Sequence, residues 1–236
     1  MCAVGATGPD VYGLFVDGAS DQANPTPSLH WDYIGTLMDT SGTSLTVDAL
    51  ASRDGFTIVV SGAPFGKFSM SSSGQIYVMN SGTGNVSIMD MDPALEPLFA
   101  TAIVLISRSE AYAITSLSRS FPDDPTPTIG QVIRWDGVRW RPTAKLPIPP
   151  DMEDPYVAEL YGITADLSRT PPVVFVISER HVWVTADRGT TWMGASQGLP
   201  RAIQCADIRW IKDSLGSRLY LSTYGRSVWV GPQTVG

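Results

Sequence analysis

The chain has 236 residues with a formal net charge of −7, 43% hydrophobic and 17% charged residues, 22 glycines and 18 prolines. That length suffices for a sizeable buried core, and turn formers set against few charges exclude a chain built mainly of surface helices. The acidic balance argues against a nucleic-acid backbone as partner, which would call for clustered Lys and Arg, and no apolar run reaches the ~20 residues that span a bilayer.

Read in order, the N-terminus MCAVGATGPDVYG has neither the basic nor the long apolar segment of a signal peptide, so if the protein is secreted, the sequence is that of a mature or recombinant form. Residues 11–18 (VYGLFVDG) and 29–38 (LHWDYIGTLM) read as two strands around a polar loop, with no lead strand before them. The second group is residues 45–51, 56–62 and 74–80, followed by the turn-rich hairpin 80–90. The third is 101–106, 111–117, 130–137 and 138–147. The fourth is 157–165, 173–178, a half-buried alternation over 181–185 around Trp183, and 192–200. The last, 203–210, 218–225 and 226–231, stops after three strands.

These groups repeat. The third-strand markers Tyr77, Ile133, Trp183 and Trp229 are 56, 50 and 46 residues apart, close to the roughly 40–50 residues of a four-stranded propeller blade. The expected fold is therefore all-β: one β-propeller domain of four-stranded antiparallel blades. It holds about five blades, over residues 1–40, 45–97, 98–147, 157–200 and 203–236, or is the C-terminal part of a larger propeller. Residues 29–38 are a candidate fourth strand for the last unit, because joining both chain ends in one blade removes exposed edges. Missing N-terminal blades or a partner chain are the alternative.

The most specific motif is residues 185–192, TADRGTTW. A short carboxylate there can accept the free N–H groups of a tight turn, a glycine two residues later can take φ > 0, and the tryptophan covers the hairpin. Thr185, Asp187, Gly189, Thr191 and Trp192 match the five specified positions of the Asp box, and the octet resembles this BNR repeat of sialidase-like β-propellers. Thr223, Tyr224, Gly225, Arg226, Val228 and Trp229 are similar to the last-blade phrase of bacterial members. The resemblance implies an architectural Asp box, on a hairpin between outer strands and away from the channel. It also implies a glycan- or protein-binding scaffold module outside the cytoplasm, extracellular or periplasmic. The alternative it implies is a glycoside hydrolase, sialidase-like or xyloglucanase-like, or a fragment of one.

Catalytic residues of such hydrolases would be an arginine triad, a tyrosine nucleophile with its carboxylate partner and an acid/base aspartate, or paired carboxylates. The Arg-Ile-Pro string of sialidases is absent, and Arg53, Arg134 and Arg226 have no assignable triad, so the catalytic residues are unknown. Polar loops at 19–28, 121–128 and 147–156 are candidate ligand contacts, the last through Asp151, Glu153 and Asp154. This acidic group lacks the regular spacing of a calcium loop, and two histidines, His30 and His181, form no metal cluster; no metal and no other cofactor is expected. GASQG, centred on Ser196, has the letters of a nucleophile elbow, but Leu199-Pro200 follows where a helix should start. Trp135, Trp140, Trp183, Trp192 and Trp229 read as packing between blades, with a sugar-binding platform as the alternative. Cys2 and Cys205 are expected as reduced thiols, although a disulfide is possible if the chain ends meet.

Overall fold

A computed structural model describes residues 3–7, 10–17, 28–38, 42, 44, 47, 49–61, 75–80, 86–95, 99–116, 130–148, 160–199, 204–213, 216–224 and 228–231. Every regular element among them is a strand and every strand pair is antiparallel, so the chain is all-β. Three of the sheets have four strands and two have three. The chain forms two compact units, Met1–Met89 and Asp90–Gly236.

The first unit holds two sheets. One has the order β1-β2-β3, from Ala3–Thr7, Asp10–Asp17 and Ser28–Thr36; the other runs β4-β5-β6-β7, from Ala49–Arg53, Phe56–Ser61, Gln75–Asn80 and Val86–Ile88. The lead strands β1 and β4 lie side by side, and Val11, Leu37, Val59, Tyr77 and Met79 form the core. Residues 3–7 are a lead strand after all, paired with β2 from Ala3↔Leu14 to Thr7↔Asp10. AVGAT shows little β-branched or alternating pattern, so its strand character comes from its partner. Residues 28–36, read within the 1–40 unit and also as a candidate fourth strand for the last unit, lie in the first sheet, paired with β2 from Asp10↔Thr36 to Asp17↔Ser28.

The second unit holds three sheets. They are β8 (Phe99–Ser107), β9 (Glu110–Ser116), β10 (Gln131–Trp135) and β11 (Trp140–Pro142); then β12 (Leu160–Asp166), β13 (Val173–Ser178), β14 (Val182–Thr185) and β15 (Met193–Gly194); then β16 (Cys205–Asp213), β17 (Gly216–Thr223) and β18 (Val228–Val230). Hydrogen bonding follows chain order within each sheet, and the lead strand β12 lies beside β8 on one side and β16 on the other. Within this unit the sheets succeed one another in a propeller-like arrangement.

β13 shows why its sequence is continuously apolar. Strand side chains alternate between faces: Val174 and Val176 enter one core with Tyr112, Ile114 and Trp183, while Val173, Phe175 and Ile177 enter another with Cys205, Ile208 and Leu221. Both faces are covered, so all six residues are buried. Each large apolar side chain removed from water contributes about 1.5–3 kcal/mol. The same double cover buries all of β14, where the sequence pattern suggested a half-exposed strand.

Candidate functional site

The octet of residues 185–192 leaves β14 at Thr185, whose hydroxyl is buried and fully used. It donates to Asp187 Oδ1 at 2.7 Å and accepts the Gly189 N–H at 3.0 Å. Asp187 Oδ1 also accepts the Thr191 N–H at 2.9 Å, and Oδ2 accepts the Thr191 hydroxyl at 2.6 Å. The Thr191 hydroxyl and N–H, followed by Thr185 and the Thr190 N–H, favour the charged carboxylate and lower its pKa from 3.8 to about 2. A carboxylate bound in this way closes the turn.

The turn is also tied to the preceding sheet. Gly189 has φ +78°, and a Cβ there would lie 2.7 Å from Thr143 Cγ2. The Ala144 N–H donates to the Gly189 carbonyl at 2.8 Å. Trp192, buried, donates through Nε1 to Thr143 Oγ1 at 3.2 Å, and that hydroxyl donates to the Val132 carbonyl at 2.9 Å.

Between this hairpin and β10–β11 lies a hollow of about 430 Å³, lined in part by Arg134, Asp136, Arg141, Thr143, Arg188 and Thr190. Its floor follows from register: Arg134 pairs with Tyr112 on one side and Arg141 on the other. Glu110, two residues before Tyr112, lies on the same face of β9. Its Oε1 accepts the Tyr112 hydroxyl at 2.8 Å and lies 3.3 Å from Arg134 Nε and 3.6 Å from Arg188 Nε. Burial, then the bond and charge of Glu110, push the Tyr112 phenol far above its ordinary range. Arg188 reaches Glu110 from a left-handed backbone position, φ 62°, that a side chain seldom adopts. On the rim, Asp136 caps its own turn by accepting the Val138 and Arg139 N–H groups, both at 2.9 Å, and it pairs with Arg141. The Arg139 N–H, the Arg141 side chain and the Val138 N–H hold its carboxyl well below the usual range.

The other sequence candidates are placed as follows. Asp151, Glu153 and Asp154 lie outside the described residues, as do residues 121–128, Cys2 and Arg226. Arg53 pairs with Asp54 in the first unit at 3.6 Å. Ser196 accepts the Val182 N–H at 2.9 Å in the loop after β15. Trp135, Trp140, Trp183 and Trp192 are buried, whereas Trp229 is exposed. Among the described residues no group of three or more His, Cys, Asp or Glu is placed to hold a metal ion, and no helix is long and apolar enough to cross a membrane.

Glu110, Asp136, Arg141, Thr143 and Arg188 are site residues that sequence reasoning missed. The signal was RWDGVRWR, residues 134–141, which is nearly mirror-symmetric about its turn. Closed as a hairpin it pairs Trp135 with Trp140 and Arg134 with Arg141. Like charges directly opposite on neighbouring strands are destabilising, so the pair itself is a pointer to a site.

The fold defines an all-β protein of antiparallel sheets, which follow one another in a propeller-like succession within the second unit. No family model matches the chain, and neither does any curated protein. Among solved structures it is similar to a protein of unknown function from Dyadobacter fermentans DSM 18053, with a TM-score of 0.51 and 13% identity over 91% of this chain and 71% of that one. At that identity the likeness is one of fold alone.

Proposed function

We propose that the chain is a non-catalytic binding module, a β-propeller of Asp-box (BNR) type with about five blades or the last blades of a larger ring, which captures a glycan or protein ligand. The observation that carries this reading is the hollow beside the Asp-box hairpin, a concave site of ligand-pocket size whose lining offers several hydrogen-bond donors within about 430 Å³. The adjacency of lead strands, β1 with β4 and β12 with β8 and β16, supports the propeller reading. The hydrogen bonds of Asp187 support an architectural box, since both its oxygens are committed to the turn. Glu110, Asp136 and Asp92 near the hollow each face a guanidinium, an arrangement suited to holding arginines in place rather than to moving protons.

A glycan array run beside a hydrolysis screen on the same preparation tests the reading. Binding without turnover is the expected result. Turnover that disappears on replacing a carboxylate would make the chain a glycoside hydrolase and overturn it.

A further inference from the structure

We propose that the hollow between the Asp-box hairpin and β10–β11 is an oxyanion site for an acidic saccharide unit, one carrying a carboxylate or sulfate ester, held chiefly by Arg134 and Arg188. This rests on the binding-module reading and adds the chemical class of the ligand.

The charge balance points this way. Arg134 and Arg188 approach the same oxygen, Glu110 Oε1, at 3.3 and 3.6 Å. Two guanidiniums thus share one buried carboxylate, and Tyr112 donates to that same oxygen. Arg141, by contrast, has Asp136 and, at 3.5 Å, Asp92 as its own partners. The positive charge left over at Glu110 therefore lies with Arg134 and Arg188, while the cluster as a whole, three arginines against Glu110, Asp136 and Asp92, is neutral. Both ion pairs use Nε, so the Nη groups carry the remaining donors of each fork. Guanidinium forks match the oxygens of a carboxylate, sulfate or phosphate.

Three features of the backbone set up this arrangement against local preference. Arg134 and Arg141 are directly opposed across the ladder, Arg188 occupies a left-handed position, and Gly189 and Trp192 clamp its hairpin onto Thr143. Of these only the Arg188 backbone is strained, and a conformation of that kind persists where surrounding structure holds it. The rest of the lining favours a sugar over an acidic peptide. Thr190 lines the hollow and its hydroxyl donates to the Asp187 carbonyl at 2.8 Å, so its oxygen retains acceptor capacity for a ring hydroxyl, a group that a carboxylate-bearing peptide side chain lacks.

The test uses the full chain, with ¹H–¹⁵N spectra and titration calorimetry against D-glucuronate, D-glucose, inorganic sulfate and a blocked tri-aspartate peptide. Glucuronate should shift the amides of Arg188, Gly189, Thr190 and Thr143, glucose should leave them unmoved, and sulfate should bind more weakly than glucuronate. Arg188→Gln removes a half-exposed side chain and should weaken glucuronate about tenfold or more, with Arg188→Lys between it and the native protein. Glucuronate shifts confined to other residues, or an unchanged affinity in Arg188→Gln, would overturn the proposal. Because the shifts are mapped on the native protein, this holds even if a variant folds poorly. Sulfate binding as tightly as glucuronate would refute the saccharide component, and tighter binding of tri-aspartate at these amides would replace it with an acidic peptide. A neutral glycan bound equally by native protein and Arg188→Gln would sink the proposal and leave the module standing, whereas glycoside turnover would sink the module itself.

Discussion

Replacing Asp187 separates an architectural carboxylate from a reactive one. In Asp187→Ala, Thr185 loses the acceptor 2.7 Å away while its hydroxyl stays buried, and a stranded buried donor costs about 1–3 kcal/mol. Thr191 loses two bonds but is exposed, so water recovers most of them and only some tenths of a kcal/mol each are added. The expected loss is about 2 kcal/mol, equivalent to about 4–8 °C in Tm for a unit of this size. Asp187→Asn retains an acceptor and loses the charge, so about 1 kcal/mol is expected at pH 7 after allowance for solvent screening. The pH dependence has a definite sign. Folding lowers this pKa from 3.8 to about 2, so the contribution is complete above the unfolded value and is lost as pH falls through the folded one. The gap between native protein and Asp187→Asn should therefore be constant from pH 7 to about 4 and shrink between about 4 and 2. Asp136, also lowered, titrates in both proteins and cancels in the difference. Urea denaturation across that range, read as midpoints at constant slope, measures the gap. If Asp187→Asn matches the native protein at pH 7, or the gap stays unchanged to pH 2, the architectural argument is wrong.

Two further outcomes follow from the same contacts. Gly189→Ala places a Cβ 2.7 Å from Thr143 Cγ2 at φ +78° and should cost about 2–4 kcal/mol; Thr143→Ser, which deletes that methyl and keeps the acceptor for Trp192, should recover part of it in thermal melts, and a cost below about 0.5 kcal/mol would refute the close approach. Burial, then Glu179, pushes the Cys205 thiol up to about 11, so in a Cys2→Ser background it should resist a disulfide reagent at pH 8 until urea unfolds the chain; complete labelling of the folded protein within minutes would contradict its burial.

Strands whose residues carried their own signal were legible. FTIVVS and VVFVIS are β-branched runs bounded by turn formers and became β5 and β13. AVGAT, β1, was not legible, because its pairing with Asp10–Leu14 lies in the partner and not in the segment. The turn chemistry of residues 185–192 could be anticipated from the spacing of Thr185, Asp187 and Gly189, since those bonds are local. The hollow could not, because Arg188 and Glu110 are 78 positions apart and meet only when one sheet packs on the next. Arg134 and Arg141 were accessible in principle from the mirrored hairpin sequence, once its register is written out.

Arg188 lies inside the turn that Asp187 closes, and Gly189 and Trp192 fix that turn to Thr143, itself a wall of the hollow. The contacts that stabilise the hairpin therefore also position the guanidinium. A ligand binding only the closed turn must stabilise it by the same free energy that the turn lends to binding. Asp187→Ala should then weaken glucuronate binding without touching a single atom of the ligand, while glucuronate should raise the Tm of the native protein more than that of Arg188→Gln. A loss of affinity in Asp187→Ala with no loss of stability would place Asp187 in contact with the ligand instead, and would separate the turn from the site.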